Sequence, residues 1–381
     1  MNESLQSVLL SKFGENQEKI TEFQSPARIN IIGEHVDYLG GLVLPASINF
    51  FTKIAIRPNW DHIFRIYSVQ FNETVETSQI LRRKTNTWAN YILGVISEFI
   101  KEGYIIPGFD LVVDGNVPQG AGLSSSASLE VCVGYALSSV FHLPVSRTEI
   151  AVFAQRAENN FTGTRCGIMD QFAVSLGKKD KCILLNTDTL EYHYKSVHLG
   201  ESELYLINSN VKHSLETSAY NDRRKDCENA LIKIKTKFLG LKTLYQFTET
   251  DRMDLFGFTP NEHKRVLHTA GERKRTAEIM KCFEEGDIER AGEILYQTHF
   301  SLSENFEVSC PETDFLVEQL RNLKVQGARM VGGGFGGCIL VLDKKGRYEN
   351  VSAEIQKLYK EKFGINPDFY RFEICDGVGE P

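Results

Sequence analysis

The chain passes from a strand pattern to a helix pattern through one glycine- and serine-rich stretch, Pro118-Gln119-Gly120-Ala121-Gly122-Leu123-Ser124-Ser125-Ser126-Ala127. An apolar segment at 109–114 precedes this loop, and an apolar helical pattern follows it from Ser125. Glycines let a backbone wrap closely around a ligand, and the first amides of a helix present partial positive charge to an anion. The loop therefore predicts phosphate binding.

Two other interpretations of this loop fit the residues less well. A serine N-cap on a flexible loop needs one serine, whereas Ser124, Ser125 and Ser126 stand in a row. A Walker loop does not fit, because alanine follows Gly120 and the pattern GxxxxGK[ST] occurs nowhere in the chain. The adjacent hydroxyls suit contacts with phosphate oxygens or with a hard cation.

A second polar cluster ends the strand pattern at 27–32, which contains Arg28. It reads Gly33-Glu34-His35-Val36-Asp37-Tyr38-Leu39-Gly40-Gly41. Acceptors and an imidazole placed this closely suit a polyhydroxylated ligand, whose hydroxyls need both donors and acceptors. A metal site is the competing functional interpretation, but the spacing matches no zinc motif and no cysteine lies near. A simple polar turn is the remaining alternative.

Two acidic residues fall on apolar helical patterns further along the chain. Glu158 follows Ala154 on a stripe at helical spacing, and Asp170 stands in Cys166-Gly167-Ile168-Met169-Asp170-Gln171-Phe172. An inward carboxylate costs free energy unless it meets a cation, a metal ion or hydrogen-bond donors. Structural hydrogen bonding accounts for most isolated acids of this kind. Two of them in a chain with a phosphate loop favour a catalytic site.

The order of elements predicts an α+β fold. Strand patterns dominate the first part, helical patterns run over 219–323, and strand patterns return at 329–343 and 368–374. Such blocks, unlike strict alternation, do not indicate a doubly wound sheet. With 381 residues, two closely packed domains are expected, at 1–200 and 201–381. The last strand returning to the first domain is left open.

Composition and charge narrow the class of protein. A formal net charge of -7 argues against nucleic acid as the main partner. Basic clusters at 82–84, 223–225 and 264–275 predict solvated faces, with nucleotide or partner contacts as the alternative. Eight cysteines without a CxxC pair predict reduced, buried thiols. With neither a leader pattern nor a membrane-length apolar run, a soluble cytoplasmic protein is expected.

The glycine run at 332–337 formally satisfies GxGxxG. A dinucleotide fingerprint follows a strand and opens a helix, whereas this run leads into the strand pattern at 338–343. A Rossmann site is therefore rejected. The run instead predicts a glycine loop that closes over the active site from the second domain.

Taken together, the three motifs resemble those of the GHMP small-molecule kinases, and the segment at 25–41 resembles the galactokinase branch of that family. Segments at 208–214, 271–276 and 308–312 add to the resemblance. The resemblance implies a GHMP kinase fold, with a ribosomal-protein-S5-like N-terminal domain, a ferredoxin-like C-terminal domain and the active site between them. It also implies transfer of the ATP γ-phosphate to the anomeric O1 of α-D-galactose, the first committed step of galactose catabolism by the Leloir pathway.

The resemblance assigns roles to matching residues. Asp170 would accept the proton of the anomeric hydroxyl, with Arg28 beside it to keep it ionised, and Ser126 and Glu158 would hold Mg²⁺. The hexose would be bound by Glu34, His35, Asp37, Gly167 and Tyr220. The β- and γ-phosphates of ATP would be held by Pro118, Gly120, Ala121, Gly122, Leu123, Ser124, Ser125, Ser126 and Ala127. Galactose and ATP would be the only partners, and the protein would be a monomer.

Some positions depart from the family pattern. They are Ala27 in place of glycine, Val36 in place of threonine, Leu39 in place of asparagine, and Thr164-Arg165 in place of Met-Pro. Because Val36 and Leu39 adjoin the expected sugar ligands, an N-acetylgalactosamine kinase is an alternative. A related kinase for another sugar or a mevalonate-like alcohol, and a non-catalytic sensor of sugar and ATP, are the others. The intact serine loop and both acids favour a catalyst.

Overall fold

The computed structural model describes residues 3–85, 87–212 and 216–381. Its helices are α1 Leu5–Phe13, α2 Ala89–Lys101, α3 Ser125–Val140, α4 Arg147–Ala157, α5 Met169–Leu176, α6 Glu216–Lys235, α7 Pro260–Glu285, α8 Ile288–Ser301, α9 Pro311–Asn322 and α10 Tyr348–Phe363. Its strands are β1 Thr21–Asn30, β2 Leu42–Val43, β3 Pro45–Pro58, β4 Phe64–Ser68, β5 Glu73–Thr77, β6 Phe109–Gly115, β7 Cys182–Asn186, β8 Tyr192–Lys195, β9 Ser202–Lys212, β10 Gly327–Met330, β11 Gly336–Lys344 and β12 Asp368–Arg371.

The first sheet has the strand order β1-β3-β6-β4-β5 and is antiparallel except between β4 and β6. Alternate residues along a strand point to opposite faces. Ile54 and Leu111 therefore pack against α2, α3 and α4, whereas Ala55 and Val112 pack under α1. Helices thus cover both faces, and α3 carries the serine loop at its first turn.

The second sheet has the order β10-β11-β9-β12 and is wholly antiparallel. On one face Ile207 and Val341 pack with residues of α6, α7, α9 and α10. On the other face Leu206 and Leu340 join the apolar cluster that also contains Ile29 of β1. The two sheets therefore share a core, and the loops at its edge face one another.

A small antiparallel sheet, β2-β7-β8, begins directly after the polar cluster at 33–41, because β2 is the next element of the chain. After β12 the chain runs back beside the first sheet, with bridges from Ile374 to Ile48 and from Gly379 to Gln24. The mixture of sheets and helices confirms the predicted α+β fold. Within the described ranges, no helix is long and apolar enough to cross a membrane.

Candidate active site

An ion pair between Arg28 and Asp170 lies where β1, α5 and the serine loop meet. Nε of Arg28 donates to Oδ1 of Asp170 at 2.7 Å, and Nη2 donates to Oδ2 at 2.6 Å. Nη1 donates to the carbonyl of Gly122 at 2.7 Å, and the hydroxyl of Ser124 donates to Oδ2 of Asp170. Burial alone would lower the pKa of Arg28, but the charge of Asp170 raises it. Arg28 therefore stays charged, and its hydrogen bonds fix the position of the Asp170 side chain.

The serine loop reaches this pair through left-handed backbone conformations. φ is 68° at Gly120, 72° at Gly122 and 61° at Ser124. A Cβ on Gly122 would also lie 2.9 Å from the carbonyl oxygen of Val331, so this position requires glycine for space as well as for φ. The hydroxyl of Ser124 does not cap α3. The N-cap interpretation is therefore wrong for Ser124, whose hydroxyl is used by Asp170 instead.

Glu158 ends α4 and begins a π-helical turn, Glu158–Thr162. Its carboxylate accepts from the hydroxyl of Ser126 at 3.0 Å and from Nε2 of Gln171 at 2.8 Å. Burial, and then the charge of Asp170, raise its pKa to about 7. These hydrogen-bond donors are neutral, so no protein cation among them compensates the carboxylate. A hydroxyl and a carboxylate are oxygen ligands of the kind that Mg²⁺ binds, so the pair fits that ion.

The sequence did not single out Glu130, which lies one helical turn after Ser126 on α3 and is fully buried. Burial, and then the charge of Glu158, raise its pKa well above the usual value, so we describe it as a neutral acid beside Glu158. In the sequence, Glu130 is one polar residue in an apolar helical pattern, and no local motif marks it as part of a site.

The polar cluster at 33–41 supplies three side chains to the same region. Glu34 is almost fully buried, and His35 takes a left-handed φ of 61° with its Nδ1 3.0 Å from the hydroxyl of Tyr38. Burial lowers the pKa of His35 to about 3, so its imidazole is neutral. Burial, and then the charges of Asp170 and Glu34, raise the pKa of Asp37 to about 7.

Tyr220 and Gly167 complete this end of the site. The ring of Tyr220 packs 5.3 Å from that of His35 and 5.6 Å from that of Tyr38, measured between centroids. A Cβ on Gly167 would overlap the carboxylate of Asp37. The absence of a side chain at Gly167 therefore leaves room for Asp37.

One cavity of about 310 Å³ joins these groups. All of the predicted site residues line it except Ala127, which is fully buried beneath the loop. Gly332 and Gly333 line it from the side of the second sheet, which is where the glycine loop was predicted. Thr164 also lines it, so that departure from the family pattern does reach the site.

The other departures lie away from the cavity. Val36 and Leu39 are buried in apolar clusters and do not line it. They adjoin the expected sugar ligands along the chain, but neither of them lines the cavity. A Cβ on Gly40 would lie 2.6 Å from Cγ2 of Thr243, and one on Gly41 would lie 2.6 Å from Cγ2 of Val36. Both glycines therefore serve packing.

A second cavity, of about 510 Å³, adjoins the first, and both are lined by Gly120, Ser125 and Ser126. The rings of Phe71 and Trp88 line it and stack 6.0 Å apart with an angle of 21° between their planes. No motif surrounds Phe71 or Trp88, so neither residue could be predicted from the sequence. Of the segments that supported the resemblance, 208–214 contributes Asn208 and Asn210 here, while 213–215 lie outside the described residues.

Comparison with known proteins places these features in one family. The family model "GHMP kinases N terminal domain" matches residues 90–178, "Galactokinase galactose-binding signature" matches 10–58, and "GHMP kinases C terminal" matches 279–361. The galactokinase of Thermotoga petrophila is 45% identical over 356 residues, which cover 93% of this chain and 98% of that protein. The galactokinase of Bacillus subtilis is 39% identical, with coverage of 100% and 99%.

Solved structures agree. The crystal structure of Lactococcus lactis galactokinase complexed with galactose matches with a TM-score of 0.94 and 35% identity, covering 99% of this chain and 100% of that one. Methanococcus jannaschii mevalonate kinase shares the fold, with a TM-score of 0.67 and 16% identity over 95% of this chain and all of that one. Fold and site thus define an ATP-dependent small-molecule kinase with the GHMP fold, as predicted. Within that class, the chain belongs to the galactokinase family.

Proposed function

We propose that this chain transfers the γ-phosphate of ATP to the anomeric O1 of α-D-galactose, giving galactose 1-phosphate and ADP. The observation that carries the proposal is the Arg28–Asp170 pair, which lies between a phosphate-binding loop and a cluster of sugar-binding side chains. Relatives that are galactokinases over their full length support the choice of sugar.

Asp170 is the group that receives the proton in this proposal. Its side chain is 27% exposed, so it reaches the cavity while Arg28 and Ser124 hold it from behind. The O1–H bond of the sugar breaks and its proton passes to Asp170, O1 bonds to the γ-phosphorus, and the bond to the β-phosphate oxygen breaks to release ADP. Arg28 offsets negative charge as it develops.

The sugar is held by Glu34, His35, Asp37 and Tyr220, with Gly167 providing space. Carboxylates accept hydrogen bonds from hydroxyls, and a neutral imidazole both donates and accepts. The tyrosine ring offers an apolar face to the sugar ring. These side chains therefore match the alternating polar and apolar surface of a hexose.

The phosphates lie along the serine loop, at the first turn of α3, where backbone amides and the helix dipole favour negative charge. Ser126 and Glu158 would hold Mg²⁺, which would neutralise charge on the β- and γ-phosphates. The second cavity then receives the nucleoside, because it continues from the same loop and offers the stacked rings of Phe71 and Trp88 to a base.

We also propose the oligomeric state, the cellular location and the domain boundary of the protein. One chain supplies both ends of the cavity, which suits a monomer. All eight cysteines are free thiols, which suits the reducing cytoplasm. We place the domain boundary near residue 200, just before β9 enters the second sheet. The product would enter galactose catabolism.

The test is magnesium-dependent ADP release by purified protein with galactose, N-acetylgalactosamine and glucose at equal concentrations, with the product identified by ³¹P NMR. We expect a strong preference for galactose and a sugar 1-phosphate product. Preference for N-acetylgalactosamine would keep the mechanism and contradict the substrate. Sugar binding without turnover would contradict the enzyme and favour a sensor.

A further inference from the structure

Arg329 of β10 is a fully buried cation that the proposed mechanism leaves unused. Its Nε donates to the carbonyl of Ile31 at 2.9 Å, and its Nη1 donates to the carbonyl of Met330 at 2.8 Å. Its Nη2 donates to the carbonyl of Asn30 and to Oε2 of Glu34, the latter at 3.2 Å. A buried guanidinium is costly unless its donors are satisfied. Here the acceptors come mainly from the segment that carries the sugar-binding residues.

The carboxylate of Glu34 receives three donors, one from the end of β1 and two from the segment at 329–332. They are Nη2 of Arg329, Nδ2 of Asn30 and the backbone amide of Gly332. Several fixed donors restrict a carboxylate to one orientation and leave its remaining lone pairs in fixed directions. Because Glu34 also lines the cavity, that orientation decides what it offers to a bound sugar.

The same network continues to the reacting pair. A Cβ on Gly332 would lie 2.6 Å from the carbonyl oxygen of Gly122, so the two glycine backbones are in contact. That carbonyl accepts from Nη1 of Arg28, which holds Asp170. The segment that fixes Glu34 is therefore also in contact with the phosphate loop.

We propose that Arg329 is a positioning residue for the sugar, which fixes the carboxylate of Glu34 in the orientation that accepts a hydroxyl of the hexose. This inference rests on the proposed function, since it requires a sugar in the cavity. Arg329 lines neither cavity, so it acts through Glu34 and not by contact with a substrate. Lysine at this position keeps the charge but cannot reach acceptors in four directions.

The test is the steady-state kinetics of Arg329→Lys. We expect KM for galactose to rise about tenfold and KM for ATP to stay within about twofold, because the lost hydrogen bonds orient one side chain at the sugar end of the cavity. Monodeoxygalactoses sharpen the test. Glu34→Gln and Arg329→Lys should both lose discrimination against the same deoxy sugar, namely the one that lacks the hydroxyl read by Glu34.

The matched control is Arg57→Lys. Arg57 is also buried and donates to Oδ2 of Asp110 at 2.9 and 2.8 Å, but neither residue lines either cavity. The Arg57→Lys variant should have a lower melting temperature than the wild type and an unchanged KM for galactose. Equal effects of the two arginine variants on KM, or a parallel rise of both KM values in Arg329→Lys, would overturn the proposal. So would loss of discrimination at different hydroxyls.

A second variant covers the case in which Arg329→Lys does not fold. Asn30→Ala removes another donor to Glu34 and should raise KM for galactose selectively, and an unchanged KM would contradict the proposal. Assays of the wild-type protein distinguish failure of this inference from failure of the proposed function. Wild-type protein without galactose turnover would refute the proposed function before any variant is compared.

Discussion

Under the proposed function the cavity has a phosphate end, lined by the serine loop, and a sugar end, lined by Glu34, His35, Asp37 and Tyr220. At the phosphate end the protein presents mainly backbone, whereas at the sugar end it presents side chains. The phosphate end is one continuous loop, shaped by left-handed residues at Gly120, Gly122 and Ser124. The sugar end brings Glu34 and Tyr220 together from distant parts of the sequence. A local backbone motif can be read from a short stretch of sequence, while a set of side chains depends on long-range packing. The two ends should therefore respond differently to substitution.

Apart from loss of Asp170 itself, the largest effect is expected where the two ends meet, at Arg28. Arg28→Leu removes two hydrogen bonds to Asp170 and one to Gly122, so it should disturb both ends together. We expect kcat to fall about 10²- to 10³-fold, as for loss of a group that stabilises developing charge. Steady-state kinetics measure this, with a thermal melt to establish folding. A folded variant with kcat within threefold of wild type would contradict the account.

The second substitution, at Glu158, should affect the phosphate end and leave the sugar end unchanged. Glu158→Gln removes the charge that would hold Mg²⁺ and should raise KM for Mg-ATP about 10- to 100-fold, while calorimetry finds galactose affinity little changed. Glu98→Gln is the control, because Glu98 is a buried glutamate of α2 that lines neither cavity. The reverse pattern, with galactose binding lost and KM for Mg-ATP kept, would refute the metal assignment.

Gly167→Ala makes the complementary change at the sugar end. Its new Cβ displaces the carboxylate of Asp37, so KM for galactose should rise about tenfold, with KM for ATP unchanged within about twofold. Gly240→Ala is a suitable control, since a Cβ there meets nothing within 4 Å. A galactose KM unchanged by Gly167→Ala would remove Asp37 from the sugar site.

The smallest effect concerns stability without ligands. Asp37 keeps its proton to about pH 7 in the folded state, whereas its usual pKa is 3.8, so the folded state binds more protons between these values. This contribution to stability is present below about pH 4 and is lost as the pH rises through 7. Asp37→Asn should therefore gain about 1–3 kcal/mol relative to wild type between pH 5 and pH 8. Denaturant unfolding at both pH values tests this, and an equal difference at both would contradict it.

The serine loop and the neighbouring residues Glu34, His35 and Asp37 could be predicted from the sequence, because each group is written in one short stretch. Tyr220 is distant from both and was predicted only from the family resemblance. The sequence did not predict the stacked pair Phe71 and Trp88, whose juxtaposition depends on packing between β5, α2 and the turns before them. The helices α1, α2 and α10 were also not predicted, although Ile92, Ile96 and Phe99 of α2 lie at helical spacing. That spacing is the signal from which α2 could have been predicted.

The pattern of charged residues predicted the structure least well. The basic cluster at 264–275 was predicted to be a solvated face, but Arg265 is fully buried and donates to Oε2 of Glu307 at 2.7 Å. In the same cluster Arg275 pairs with the buried Glu272, which accepts from the amide of Gly33. Arg275 therefore supports the polar cluster at 33–41 through Glu272. Glu307 lies 42 residues after Arg265, so no local pattern could identify that pair, whereas Glu272 and Arg275 are three residues apart on α7.

In the proposed mechanism, Asp170 performs the chemistry between two separately built binding ends. Asp170→Asn tests this role most directly, with galactose and Mg-ATP binding measured by calorimetry and phosphoryl transfer measured in a single turnover. The account predicts that both ligands bind within about tenfold of their wild-type affinities while transfer falls at least about 10³-fold. Transfer at the wild-type rate would contradict this role of Asp170.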